Sequence, residues 1–131
     1  MELRKRLGKL DKTLGLLRGQ WILVEGKRDR AALAALGLGK CLTISGNLRA
    51  SCALLGGYGI EKAYVLTDLD RRGDELAKRA RDELESLSIR ADTETRLGLA
   101  HLLRIRYFED AKRAFEKLKE ELMKEEGETY G

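Results

Sequence analysis

Three acidic residues carry the chemistry this chain can offer. Glu25 directly follows the apolar run Trp21-Ile22-Leu23-Val24, and Asp68 and Asp70 directly follow Ala63-Tyr64-Val65-Leu66-Thr67. A carboxylate placed straight after such a run sits at the rim of a core, where an unpaired charge is costly. Asp68 and Asp70 are two apart, and residues i and i+2 of an extended chain point to the same side. The spacing therefore predicts two carboxylates on one site. Hard oxygens of this kind suit Mg²⁺, which is held by one or two carboxylates together with water and a substrate phosphate. Mn²⁺ is the expected substitute. Basic residues crowd the same segments: Lys27, Arg28, Arg30, Arg49, Arg71 and Arg72. They are expected to hold phosphates on either side of the metal, so that binding weakens with salt.

The elements that must position these residues follow from hydrophobic spacing. Leu3, Leu7, Leu10, Leu14 and Leu17 form one stripe of a helix over residues 2–18, with Gly19 as its stop. Residues 21–24, 41–44 and 63–67 are short apolar runs suited to strands buried on both faces. Helices are expected over 28–36, 48–55 and 75–87, and a weaker fourth strand over 89–91. Further helices follow over 95–103 and from Phe108 to Leu122, where apolar residues recur every three or four positions. Strands alternating with helices predict an α/β fold, an open and mainly parallel sheet of about four strands with helices on both faces and flanking terminal helices. In such a sheet ligands bind beyond the carboxyl ends of the strands, at a switch point. If the second and third strands flank the first, Glu25 faces Asp68 and Asp70 across that crevice. Gly73 is expected to let the backbone turn tightly before the next helix, whose first N–H groups favour a phosphate. Asp29 reads equally well as a helix cap, and Asp74 as a complement to a helix dipole.

Bulk properties narrow the class. The 131 residues fit a single domain over 1–131, with an N-terminal helix (1–19), a core (20–96) and a C-terminal helical extension (97–131). Lys and Arg number 26 and Asp and Glu 22, so the net charge of +4 is compatible with a polyanion partner without demanding one. Cys41 and Cys52 lack metal-ligand spacing and read as buried apolar residues. The absence of a secretory signal or a spanning apolar run points to the cytoplasm and to no membrane partner. Single Asn and Gln residues (Asn47, Gln20) among many Glu, Lys and Arg give a thermophile-like balance. Neither a P-loop nor a dinucleotide glycine motif is present.

The two acidic clusters together resemble the Toprim domain of topoisomerases, bacterial-type primases and small nucleases such as the ribonuclease that matures bacterial 5S ribosomal RNA. Val24-Glu25-Gly26-Lys27 matches the Glu-Gly pair after the first strand of that family. Asp68-Leu69-Asp70-Arg71-Arg72-Gly73 matches its Asp-x-Asp-x-x-Gly signature, and Gly46 matches the glycine closing its second strand. The resemblance covers residues 20–96 and is nearest to the nuclease-type members. It implies that Glu25 is the general acid/base, that Asp68 and Asp70 hold Mg²⁺ with Glu25 and Asp74 beside them, and that Lys27, Arg28, Gly46, Arg49, Arg71 and Arg72 bind substrate. Asp74 is often Glu in the family, and topoisomerases often carry Glu at the place of Arg72. With no room for a tyrosine-bearing cleavage domain, the likeness implies a nuclease rather than a topoisomerase. The implied function is Mg²⁺-dependent hydrolysis of nucleic acid, RNA favoured over DNA, in RNA processing. None of Tyr58, Tyr64, Tyr107 and Tyr130 lies in an acidic motif, so water is the expected nucleophile. The alternative is a Toprim module that grips nucleic acid, or docks on a larger complex, without cutting. The stripes of the terminal helices could serve that docking or a homodimer, or simply pack on the domain itself.

Overall fold

The computed structural model describes the backbone of residues 1–130 and the side chains of residues 1–127. The strands are β1 (Ile22–Val24), β2 (Cys41–Thr43), β3 (Lys62–Leu66) and β4 (Arg90–Asp92). The helices are α1 (Leu3–Leu17), α2 (Lys27–Ala34), α3 (Leu48–Gly57), α4 (Arg71–Ser86), α5 (Thr95–Leu103) and α6 (Ala111–Tyr130), with a 3-10 turn at Phe108–Asp110. The four strands form one parallel sheet in the order β2-β1-β3-β4. The fold is thus an open parallel α/β sheet, and the chain reverses its winding between β1 and β3.

The short apolar runs are strands because both of their faces are covered. Ile22, Val24, Tyr64 and Leu66 pack beneath α1, α2, α5 and α6, together with Leu10, Leu14, Leu17 and Phe108. Leu23, Ala63 and Val65 point the other way, against Cys52 and Leu55 of α3 and Ala77, Ala80 and Leu84 of α4. Alternate residues of one strand therefore feed two separate cores. The leucine stripe of α1 and Ala111 and Leu118 of α6 lie inside the first of these, so those apolar faces are buried within the domain. Gly19, at φ +76, turns the chain from α1 into β1 in a conformation that suits glycine. Cys41 and Cys52 are buried and unpaired, and burial pushes both thiols up to about 11. Among the described residues no helix is long and apolar enough to cross a membrane.

Two helix starts differ from the sequence expectation by three residues or more. α4 begins at Arg71, four residues before Glu75, because Asp70 caps it and its Oδ1 accepts from the Gly73 N–H at 2.7 Å. The C-terminal helix begins at Ala111. Its expected first residues, from Phe108, instead form the 3-10 turn that carries the wholly buried Phe108 ring into the core.

Candidate functional site

The parallel register sets Val24 of β1 beside Leu66 of β3, so the residues just beyond each strand are neighbours. Glu25 emerges there and its Oε2 accepts from the Asp68 N–H at 2.7 Å. The Asp68 Oδ1 in turn accepts from the Phe108 N–H at 2.9 Å. Asp29, in the first turn of α2, is buried and accepts from the Gly26 N–H at 2.9 Å. It is not the N-cap that the sequence suggests: Gly26 holds that place, and Asp29 bonds back to it from the third helical position. Three carboxylates, Glu25, Asp29 and Asp68, gather at the switch point with Glu109 at their border.

This crowding shows in the protonation of Asp68. Burial raises its carboxyl to about 7; the Phe108 N–H opposes the rise, and the charges of Asp29 and Glu25 and a hydrogen bond shared with Glu25 add to it. Burial likewise raises Asp29, reinforced by Glu25 and Glu109. Between 3.8 and about 7 the folded chain binds more protons at Asp68 than the unfolded chain does, so stability falls as pH rises through that window. Asp68→Asn keeps an oxygen for Phe108 and removes the charge. Without divalent metal its melting temperature should exceed that of the wild type at pH 8, with the gap closing by pH 4. A gap of equal size at both pH values refutes the assignment.

The segment after β3 does not continue as an extended strand. It bends at Leu69 and Asp70, so the same-side placement of Asp68 and Asp70 does not hold. Asp70 turns to cap α4 while Asp68 turns to Phe108. Gly73 is not in a tight turn before the helix. It lies in the first helical turn, where its N–H is already engaged by Asp70 rather than open to a phosphate. What Gly73 supplies is space, because a Cβ there would lie 1.8 Å from the Asp68 carbonyl oxygen. The Thr67 hydroxyl donates to the Gly73 carbonyl at 2.7 Å. Beneath this loop lies Arg96, at 5% exposure. Its Nε donates to the Thr67 carbonyl and hydroxyl, each at 3.2 Å, and its Nη2 reaches the Asp68 carbonyl at 3.4 Å. The same Nη2 pairs with Asp74, so Asp74 is committed to Arg96 rather than to the Glu25–Asp68 pair.

The basic residues divide among neighbouring clefts. A cavity of about 210 Å³ over the end of β1 is lined by Glu25, Gly46, Arg72 and Arg79. A hollow beside it holds Gly46, Arg49 and again Arg79. Arg28 faces a different hollow with Glu109 and Arg113. Lys27 and Arg71 are exposed in the first turns of α2 and α4. Arg49 pairs with Glu83, and Arg71 with Glu75, each at 3.7 Å. Such exposed pairs are worth about 0–1 kcal/mol, so both cations remain available to a ligand. Arg79 escaped the sequence reading although it stands seven residues after Arg72, two helical turns along one face.

Comparison with known proteins gives the family. No family model matches the chain. A UPF0292 protein of Methanosarcina barkeri is 34% identical over 103 residues, which are 71% of this chain and 69% of that relative. The chain belongs to the UPF0292 family. UPF0292 proteins of Pyrococcus furiosus and Pyrococcus abyssi are 43% and 40% identical, each over 79 residues. Those matches span 60% of this chain and 59% of each Pyrococcus relative. A solved structure of an Aquifex aeolicus protein aligns with a TM-score of 0.64 at 26% identity, over 83% of this chain and 97% of that one.

In this UPF0292 chain the donor set can be tested against a divalent cation. Among the described residues no three His, Cys, Asp or Glu side chains are grouped so as to share one ion. Glu25 and Asp68 nevertheless fit a hard cation in donor type and in charge. Each has one oxygen fixed by a backbone N–H. Asp70 has Oδ1 engaged at the cap and offers Oδ2.

Proposed function

We propose that this chain is a Toprim-type, divalent-metal-dependent nuclease acting on RNA. The observation that carries this reading is the crowding of Glu25 and Asp68 at the β1/β3 switch point, where Glu25 accepts from the Asp68 N–H and its charge helps raise the Asp68 carboxyl. Asp68 would hold Mg²⁺ with Glu25 beside it, and Asp70 would add only its Oδ2, since its Oδ1 caps α4. When bound, the ion supplies charge neutralisation at the scissile phosphate. The Asp68 N–H fixes Oε2 of Glu25 and so orients that carboxylate to take a proton from an attacking water. Arg72 and Arg79 line the adjoining cavity, where they would seat the phosphates flanking the cut. Buried, unpaired cysteines suit a reducing cytoplasm.

The service of Asp70 as a cap and of Asp74 as partner to Arg96 favours a second reading, a module that grips nucleic acid without cutting it. Incubating the protein with end-labelled structured RNA, single-stranded RNA and DNA separates the two. The nuclease cuts in Mg²⁺ or Mn²⁺ and fails in Ca²⁺ or chelator. Binding without cutting in any metal selects the module. In either case, contacts to three phosphates would weaken single-strand binding about twentyfold between 50 and 200 mM salt. Neither binding nor cutting would overturn both readings.

A further inference from the structure

The segment between α5 and the 3-10 turn is strapped to the candidate site by two hydrogen bonds. Arg104 adopts the left-handed conformation at φ 58 and ends α5; the chain then bends at Arg106 and Tyr107, and Tyr107 enters the 3-10 turn with an extended backbone. The Leu69 N–H donates to the Arg106 carbonyl at 2.7 Å, and the Phe108 N–H donates to Asp68 at 2.9 Å. Ile105 packs against the core on one side and Phe108 is wholly buried on the other. Arg106 and Tyr107 are thus held between two anchored neighbours, next to Asp68 in space although nearly forty residues away in sequence, with both side chains exposed.

The aromatic residues are not equivalent. Trp21 and Tyr58 stack on each other at 4.9 Å at the opposite end of β1, with Lys40 over the Trp21 ring. Tyr64 is buried beneath Lys62, and the Tyr130 side chain lies outside the described residues. Tyr107 is 40% exposed, and among the described residues its ring and hydroxyl have no partner, nor has the Arg106 guanidinium. An exposed ring and an exposed guanidinium on neighbouring residues of an anchored segment are the groups with which proteins receive an unpaired base and its phosphate.

We infer that Tyr107 and Arg106 form a subsite for one unpaired nucleotide beside the scissile phosphate. Tyr107 stacks on the base and Arg106 contacts the phosphate; both are positioning residues. This subsite rests on the nucleic-acid reading above, and it makes single-stranded RNA, or a loop within structured RNA, the preferred ligand over a continuous duplex. A duplex keeps its bases stacked on each other and has none to offer Tyr107.

The test is fluorescence anisotropy with a single-stranded 12-mer RNA and a blunt RNA duplex, in Ca²⁺, on the full chain. Tyr107→Ala should weaken single-strand binding about tenfold and leave duplex binding unchanged. Tyr107→Phe, which keeps the ring, should bind as the wild type does. Arg106→Ala should weaken both and lower the single-strand salt slope by about 0.7. Melting temperatures of all variants should match the wild type, since neither side chain is buried. Should Tyr107→Ala bind single strands as tightly as wild type, the subsite is wrong while the nucleic-acid reading stands. Should the wild type bind neither RNA, the reading and the subsite fall together. Should Tyr107→Ala melt lower, a loss shared by single strand and duplex would mark a folding defect and overturn the subsite.

Discussion

Gly73→Ala should destabilise the protein by about 3 kcal/mol or more, although it places the best helix former inside a helix. In an exposed helix interior the same exchange gains up to about 1 kcal/mol. Here a Cβ would lie 1.8 Å from the Asp68 carbonyl oxygen, 2.6 Å from its carbon and 3.0 Å from its nitrogen. These are backbone atoms, so no rotamer change relieves the clash. The first turn of α4 must move away from residue 68. That motion breaks the Thr67 hydroxyl's bond to the Gly73 carbonyl and the Asp70 cap, each worth about 1 kcal/mol. Forced overpacking adds about 1–3 kcal/mol. The melting temperature should drop by roughly 10 °C or more. Gly8→Ala in α1 is the control, because nothing lies within 4 Å of a Cβ there, and it should raise the melting temperature slightly. A Gly73→Ala protein that melts at or above the wild type refutes the clash.

The strands were legible in the sequence because burial on both faces leaves continuous apolar runs. All three residues of β1 and four of the five in β3 are buried, and no polar alternation obscures them. The switch point was legible too, since acidic residues directly after such runs have few other places to go. The departures have two causes: at Asp70 one local rule gave way to another, and elsewhere contacts from far along the chain decided the outcome. The Asp68–Asp70 spacing reads as a same-side pair only if the strand continues, and helix capping by Asp70 ends it. The spacing from Asp70 to Gly73 fits this cap as well as it fits a ligand set. Arg96 and the Phe108 N–H reach the site from 28 and 40 residues away. Nothing in their own neighbourhoods marks them. Arg96 resembles one more basic residue at the start of an amphipathic helix until its burial is known. Asp29 reads as an N-cap, but Gly26 holds that place and Asp29 bonds back to it from the third helical position; its effect on Asp68, adding negative charge beside it, depends on the packing of α2 against the 3-10 turn.

Glu25→Gln should lower turnover and raise stability at once, and this opposition separates a proton-transfer group from a structural one. The Gln side-chain carbonyl can accept from the Asp68 N–H where Oε2 now does at 2.7 Å, so the anchor between β1 and β3 survives. Its NH₂ can donate to the Asp68 carboxylate, replacing a repulsion that now raises Asp68 with an attraction. Without metal, the variant should therefore melt above the wild type near pH 8. RNA affinity in Ca²⁺ should change little, because the phosphate contacts proposed for Arg72, Arg79 and Arg106 are untouched. Turnover in Mg²⁺ or Mn²⁺ should fall about 10²–10⁴-fold, the usual contribution of a general acid or base. A variant that is merely misfolded would lose stability, binding and cutting together. A variant that cuts at the wild-type rate removes Glu25 from proton transfer and leaves Asp68, with Asp70, as the acidic groups on which any remaining chemistry must rest.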